Sequence, residues 1–145
     1  MNALRIYIDF KSAPAWLALQ PTLALLDRLG GTAQWLPFDT RQAAIPGEKP
    51  DETRGETHVR VRALQRRDTN LKYAAVQGIP MSYPESPGAT GCALAALLHV
   101  QEDPLPFIRA AFEAYWRDGL DLDDRAVVAR LLDDSGYAPE VFDAT

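Results

Sequence analysis

The sequence predicts an α/β chain in which a βαβ unit is followed by a mostly helical segment. Three observations carry this. LRIYIDF, residues 4–10, alternates Leu4, Ile6, Ile8 and Phe10 against Arg5, Tyr7 and Asp9, the period-two pattern of a strand. Residues 15–29 then place Trp16, Leu19, Leu23 and Leu26 at helical spacing, with Leu17, Leu25 and Leu29 widening the stripe. Gly30 and Gly31 stop that helix, and TAQWLPF, residues 32–38, reads as a second strand directly after them. Strand, helix, short turn and strand make a βαβ unit, so the two strands are expected to be parallel with a right-handed crossover. Pro21 falls inside the helix and is expected to kink it, because proline brings no N–H.

The remainder reads as helices separated by loops. Residues 39–50 contain Pro46, Gly47 and Pro50 and form a loop. A polar helix is expected over residues 53–77, closed by Gly78 and Pro80. SYPESPGATG is a loop, and CALAALLHV is a compact apolar helix. Pro106 suits a first helical turn, after which Ile108, Ala111, Phe112 and Tyr115 share one face. Asp123 is expected to cap a further helix with Val127, Val128, Leu131 and Leu132 inside and Gly136 after it, and Pro139 to begin a last turn. The organisation is therefore a βαβ part over residues 1–40 and a helical segment over residues 41–145.

The 145 residues are enough for one domain with a core, and the 47% hydrophobic content is ordinary for a globular protein. A net charge of −5 and a pI near 4.9 argue against a general nucleic-acid binder. No apolar run approaches a membrane span, and the N-terminus does not read as a signal peptide. The single cysteine, Cys92, cannot form an internal disulfide or a CxxC pair, so a reducing, cytoplasmic setting is expected. His58 and His99 have no ligand-type spacing, so no metal site is expected.

The junction DFKSAPAWLAL, residues 9–19, resembles the DFKSP-x-x-Y-L-A start of proteins grouped with 2-hydroxychromene-2-carboxylate isomerase and kappa-class glutathione transferase, in the DsbA-like branch of the thioredoxin superfamily. Ser12 matches the serine that replaces the redox cysteine in that group, Lys11 matches the preceding lysine, and Trp16 falls where an aromatic is usual. AYWRDGLDLDD, residues 114–124, resembles the group's aromatic-rich helix and acidic loop. Here the order is Ser12, Ala13, Pro14, with proline one position later than in the group. The resemblance further implies two more strands, the first carrying a cis-proline, and a final helix. These are absent from the 145 residues, so an incomplete thioredoxin-like fold is expected, with association of copies to cover an open sheet edge. The resemblance implies a glutathione-dependent isomerase or transferase acting on a small aromatic or electrophilic substrate, with Ser12 as the catalytic residue and Lys11, Ala13 and Trp16 beside it.

Read as residues alone, the same positions also have plainer roles. Ser12 at a helix start is a good N-cap, a role compatible with holding a thiolate at the positive helix end. Lys11 could attract a carboxylate or be a solvated strand-end lysine, and a surface pair with Asp9 would add little. Arg54, His58, Arg62 and Arg66 lie at successive i,i+4 positions on one helix face. This stripe could contact the carboxylates of glutathione or an aromatic acid, chiefly through Arg62 and Arg66; it could dock the acidic segment 118–124, or simply be solvated. Cys92 among alanines and leucines reads as a buried thiol, and Phe112, Tyr115 and Trp116 as core or the wall of a substrate pocket. A disulfide oxidoreductase is excluded, because it needs a cysteine where Ser12 stands. The alternative to the enzyme is a non-catalytic thioredoxin-like binding or assembly module. Without the missing strands, the chain is expected not to bind glutathione tightly alone.

Overall fold

The computed structural model describes residues 3–138. Two strands, β1 (Leu4–Ile8) and β2 (Ala33–Pro37), flank helix α1 (Ala13–Leu29), and four helices follow: α2 (Arg54–Gln77), α3 (Gly91–Leu97), α4 (Leu105–Trp116) and α5 (Arg125–Asp134). The strands pair in parallel, from Leu4 opposite Ala33 to Ile8 opposite Pro37. The βαβ expectation holds, and so does the helical remainder. The turn expected at Pro139 lies outside the described residues. No helix among the described residues is long and apolar enough to cross a membrane.

Local chemistry sets the element ends. Ser12 caps α1, and Gly30 ends it at φ 62°, a left-handed conformation that glycine adopts without steric cost. Thr53 caps α2 through its hydroxyl, which accepts the Glu56 N–H at 3.1 Å. The cap of α5 is Asp124, whose carboxylate accepts the Ala126 N–H. The neighbouring Asp123 serves a different helix: it accepts the Cys92 N–H at 3.0 Å in the first turn of α3. The expected cap was thus one residue early, because a distant helix claims that carboxylate. β1 ends at Ile8 rather than Phe10, since the Asp9 carbonyl accepts the Ser12 N–H at 3.1 Å and turns the chain.

The core joins the βαβ part to the helical segment. Phe10, fully buried, meets Phe107 and Phe112 edge-on at 6.0 and 5.2 Å, and Trp16 stacks on Phe112 at 5.2 Å. The Trp116 indole N–H donates to the Phe10 carbonyl at 3.0 Å. On the apolar face of β1, Ile8 is buried and Ile6 half-buried, while Leu4 remains 49% exposed.

The two sheet edges differ. Leu4 N–H donates to Thr32 O and Phe38 N–H to Ile8 O, so the even-numbered residues of both strands face one another. The outer edge of β2 therefore carries residues 33, 35 and 37. There Pro37 has no N–H to offer, and the Gln101 side chain donates to Trp35 O at 2.8 Å. The outer edge of β1 carries the backbone groups of Arg5 and Tyr7, which have no partner among the described residues.

Pro21 sits inside α1, which continues through it. Its missing N–H leaves the Leu17 carbonyl without an intrahelical donor. The Gln77 side chain supplies one from α2, at 2.8 Å. Replacing Gln77 with alanine is expected to cost about 1 kcal/mol in denaturant unfolding. In a Pro21→Ala background the residue-21 N–H satisfies Leu17 itself, so the same substitution should cost markedly less; equal costs in the two backgrounds would show that the bond carries no weight.

Candidate functional site

Where β1 gives way to α1, a carboxylate is buried. Asp9 is 1% exposed, and each of its oxygens is occupied. Oδ2 accepts the Thr40 N–H and the Thr40 hydroxyl, both at 2.7 Å, and lies 2.7 Å from Lys11 Nζ. Oδ1 accepts the Thr90 hydroxyl at 2.6 Å. Lys11 is itself buried; its ammonium also meets the exposed carboxylate of Asp39 at 2.6 Å and donates to Thr90 Oγ1 at 3.2 Å. Lys11 is thus not a solvated strand-end lysine, and its charge is matched by two carboxylates within the protein. Nor is its pair with Asp9 a surface pair. Burial pushes the Asp9 carboxyl up, but hydrogen bonds from Lys11, Thr90 and Thr40 outweigh it and hold the group below its ordinary value. For Lys11, burial pulls down, while Asp39 and Asp9 together raise the ammonium above its ordinary value.

Directly after this network α1 begins. Ser12 has extended backbone angles, and its Oγ accepts the Ala15 N–H at 3.4 Å. Pro14 lies in the same turn and contributes no N–H. The Ala13 N–H and the Ser12 hydroxyl proton have no acceptor among the described residues. Both residues open onto a cleft of about 710 Å³. Its walls include Tyr83, Tyr115 and Trp116, and its rim carries Arg41, Arg66 and Arg67 against one acidic residue, Glu85. Arg67 leans on Asp68 at 3.3 Å, whereas Arg41 and Arg66 form no ion pair with a described residue. Burial pushes the Tyr115 phenol up, so it remains protonated at neutral pH. Asn70 donates to the Tyr83 hydroxyl at 2.9 Å and fixes that ring.

The structure brings Lys11, Ser12, Ala13 and Arg66 together at the cleft. Arg62 is exposed on α2 outside it. Trp16 also lies outside it: the ring is buried on Phe112, and its N–H donates to Pro80 O at 3.1 Å. The stripe does not dock the acidic segment, where Asp118 pairs with Arg117 and Asp123 caps α3. Within α2, Arg60 turns to Glu52 in a two-point contact at 2.9 and 3.1 Å, which lowers that carboxyl to about 2. Cys92 is half-buried rather than buried, and burial followed by Asp123 raises its thiol, away from nucleophilic character. Sequence reasoning missed Arg41 and Tyr83. For Arg41 a signal existed: loops leaving the same ends of parallel strands converge, and Arg41 follows β2 as Ser12 follows β1.

The pH dependence of stability follows from the buried pair. Asp9 is held low, so its stabilisation is present above its ordinary value of 3.8 and is lost as pH falls through the lower folded value. Lys11 is held high, so its contribution is present below 10.5 and is lost as pH rises through the higher folded value. Lys11→Met strands a buried carboxylate and is expected to cost about 3–5 kcal/mol at neutral pH. The cost should shrink in acid once Asp9 is protonated; urea titrations showing the same loss at about pH 3 and pH 7 would rule out charge pairing as the role of Lys11.

No family model matches the chain, and no curated protein matches it. Solved structures do. A 2-hydroxychromene-2-carboxylate isomerase superposes with a TM-score of 0.71 at 19% identity, over 99% of this chain and 70% of that one. The cytosolic disulfide reductase DsbM from Pseudomonas aeruginosa, solved with GSH, gives 0.68 at 16% identity, over 99% and 71%. A candidate disulfide isomerase from Nitrosomonas europaea gives 0.67 at 16% identity, over 97% and 67%. The α/β order, the parallel pair and the helical segment after it are thus common property. The chain has a DsbA-like thioredoxin fold, which it shares with 2-hydroxychromene-2-carboxylate isomerase over 70% of that structure.

Proposed function

We propose that the cleft holds the thiolate of glutathione at Ser12 and presents it to a small aromatic electrophile, in a reaction of the glutathione-dependent isomerase or transferase type. One observation carries this reading: the Ser12 hydroxyl proton and the Ala13 N–H, both without an acceptor among the described residues, sit at the positive end of α1 in an aromatic-walled cleft. The fold shared with an isomerase, and with a reductase solved with GSH, supports it.

Each residue then has a task. Ser12 caps α1 through its oxygen and keeps its proton for the sulfur. The helix end favours the anion and so lowers the thiol pKa. Bound glutathione supplies the nucleophilic sulfur. Arg41 and Arg66 face the ligand carboxylates, a role for which guanidinium geometry is suited. Tyr83, Tyr115 and Trp116 offer an apolar wall to an aromatic ring. Disulfide chemistry of the CxxC kind is not available, since Ser12 occupies the helix start and Cys92 lies on α3. The reading goes with a reducing, cytoplasmic setting.

The open outer edge of β1 favours a second reading, a non-catalytic module that takes a strand from another copy or another chain. Calorimetry separates the two. Glutathione is expected to bind more weakly than about 1 μM, that is by less than roughly 8 kcal/mol, because the described residues offer few partners for its peptide groups. Aspartate caps helices as well as serine does, so Ser12→Asp should retain stability while its charge abolishes binding. A wild type that does not respond to glutathione at millimolar concentration and elutes as an oligomer favours the module instead.

A further inference from the structure

We propose that Asp9 is a positioning residue for the cleft: through Thr40 it sets the wall formed by Arg41 and Gln42. The parallel strands end side by side, so Asp9 after β1 stands next to Thr40 after β2. Thr40 gives Asp9 both its N–H and its hydroxyl, each at 2.7 Å. The Thr40 oxygen in turn accepts the Gln42 side-chain amide at 3.0 Å. One residue before Thr40, Asp39 meets Lys11 at 2.6 Å. Residues 39, 40 and 42 are therefore fastened to the Asp9–Lys11 pair, and Arg41 lies between them with no ion pair to a described residue. Beyond this point the loop is untied: no backbone hydrogen bond joins residues 41–48 to any other described residue. Arg41 and Gln42 both line the cleft, as does the loop up to Ile45. The place of that wall is thus inherited from a carboxylate that never reaches the cleft.

The wall is argued from geometry alone, while the binding arm of the test rests on the glutathione reading. Asp9→Asn endangers the fold through the Lys11 charge, so Thr40 is the position to vary. Thr40→Val keeps the N–H bond and removes the hydroxyl; Thr40→Ser restores it. In the full chain, Thr40→Val is expected to speed amide exchange at Thr40 and to lower the backbone order parameters of Arg41 and Gln42. Those of α1 and α4 should stay unchanged, and serine should restore the wild-type values. Glutathione affinity should fall about 2- to 10-fold in Thr40→Val, with no further fall when the substitution is made in Arg41→Ala. Unchanged order parameters at Arg41 and Gln42, a loosening spread equally over α1 and α4, or failure of serine to rescue would each overturn the proposal. If the wild type does not bind glutathione, the functional reading fails and the order parameters alone decide the positioning role.

Discussion

A carboxylate taken out of water must be given hydrogen bonds and a counter-charge, and Asp9 obtains them from three places in the chain. Lys11 comes from the turn into α1, Thr40 from the loop after β2, and Thr90 from just before α3. Meeting this one requirement binds the turn into α1, the loop after the second strand and the start of the third helix to the same point. The aromatic cluster of Phe10, Phe107, Phe112 and Trp16 packs immediately alongside, so the polar knot and the apolar core reinforce one another. The cleft is assembled from the segments this knot gathers.

Patterns that act within one element were legible in the sequence. The alternation of residues 4–10, the leucine stripe of α1 and the glycine stops at Gly30 and Gly78 all report on neighbours a few positions away, and the structure keeps them. Ser12 was legible for the same reason, as a cap at a strand-to-helix junction. What could not be read depends on remote partners. Asp9 is bonded to residues 31 and 81 positions on, and nothing in DFKS distinguishes such an aspartate from a solvated one. The spacing of Arg62 and Arg66 places them on one helix face, but only tertiary packing decides that Arg66 borders the cleft and Arg62 does not. Trp16 differs: an aromatic near a candidate catalytic serine invites a binding role, while its ring packs in the core on Phe112.

Three prolines each delete a backbone donor, and each deletion has a use. Pro14 strips the first turn of α1, so the helix presents the Ala13 N–H and the Ser12 hydroxyl and little else. Two donors on adjacent residues suit a single acceptor atom such as sulfur better than a phosphate, whose several oxygens call for a fuller set of amides. Pro21 frees a carbonyl that Gln77 then uses to join α2 to α1. Pro37 removes a donor from the outer side of β2.

That last deletion gives the sheet a direction. With Pro37 and Gln101 blunting one margin, a further strand, whatever its source, is better accommodated beside β1. Its arrival would turn β1 from a border strand into the centre of a three-stranded sheet. The Asp9 turn and Ser12 would then lie at the middle of the sheet's end, and a newcomer's own residues would come within reach of the cleft from the side on which β2 is absent.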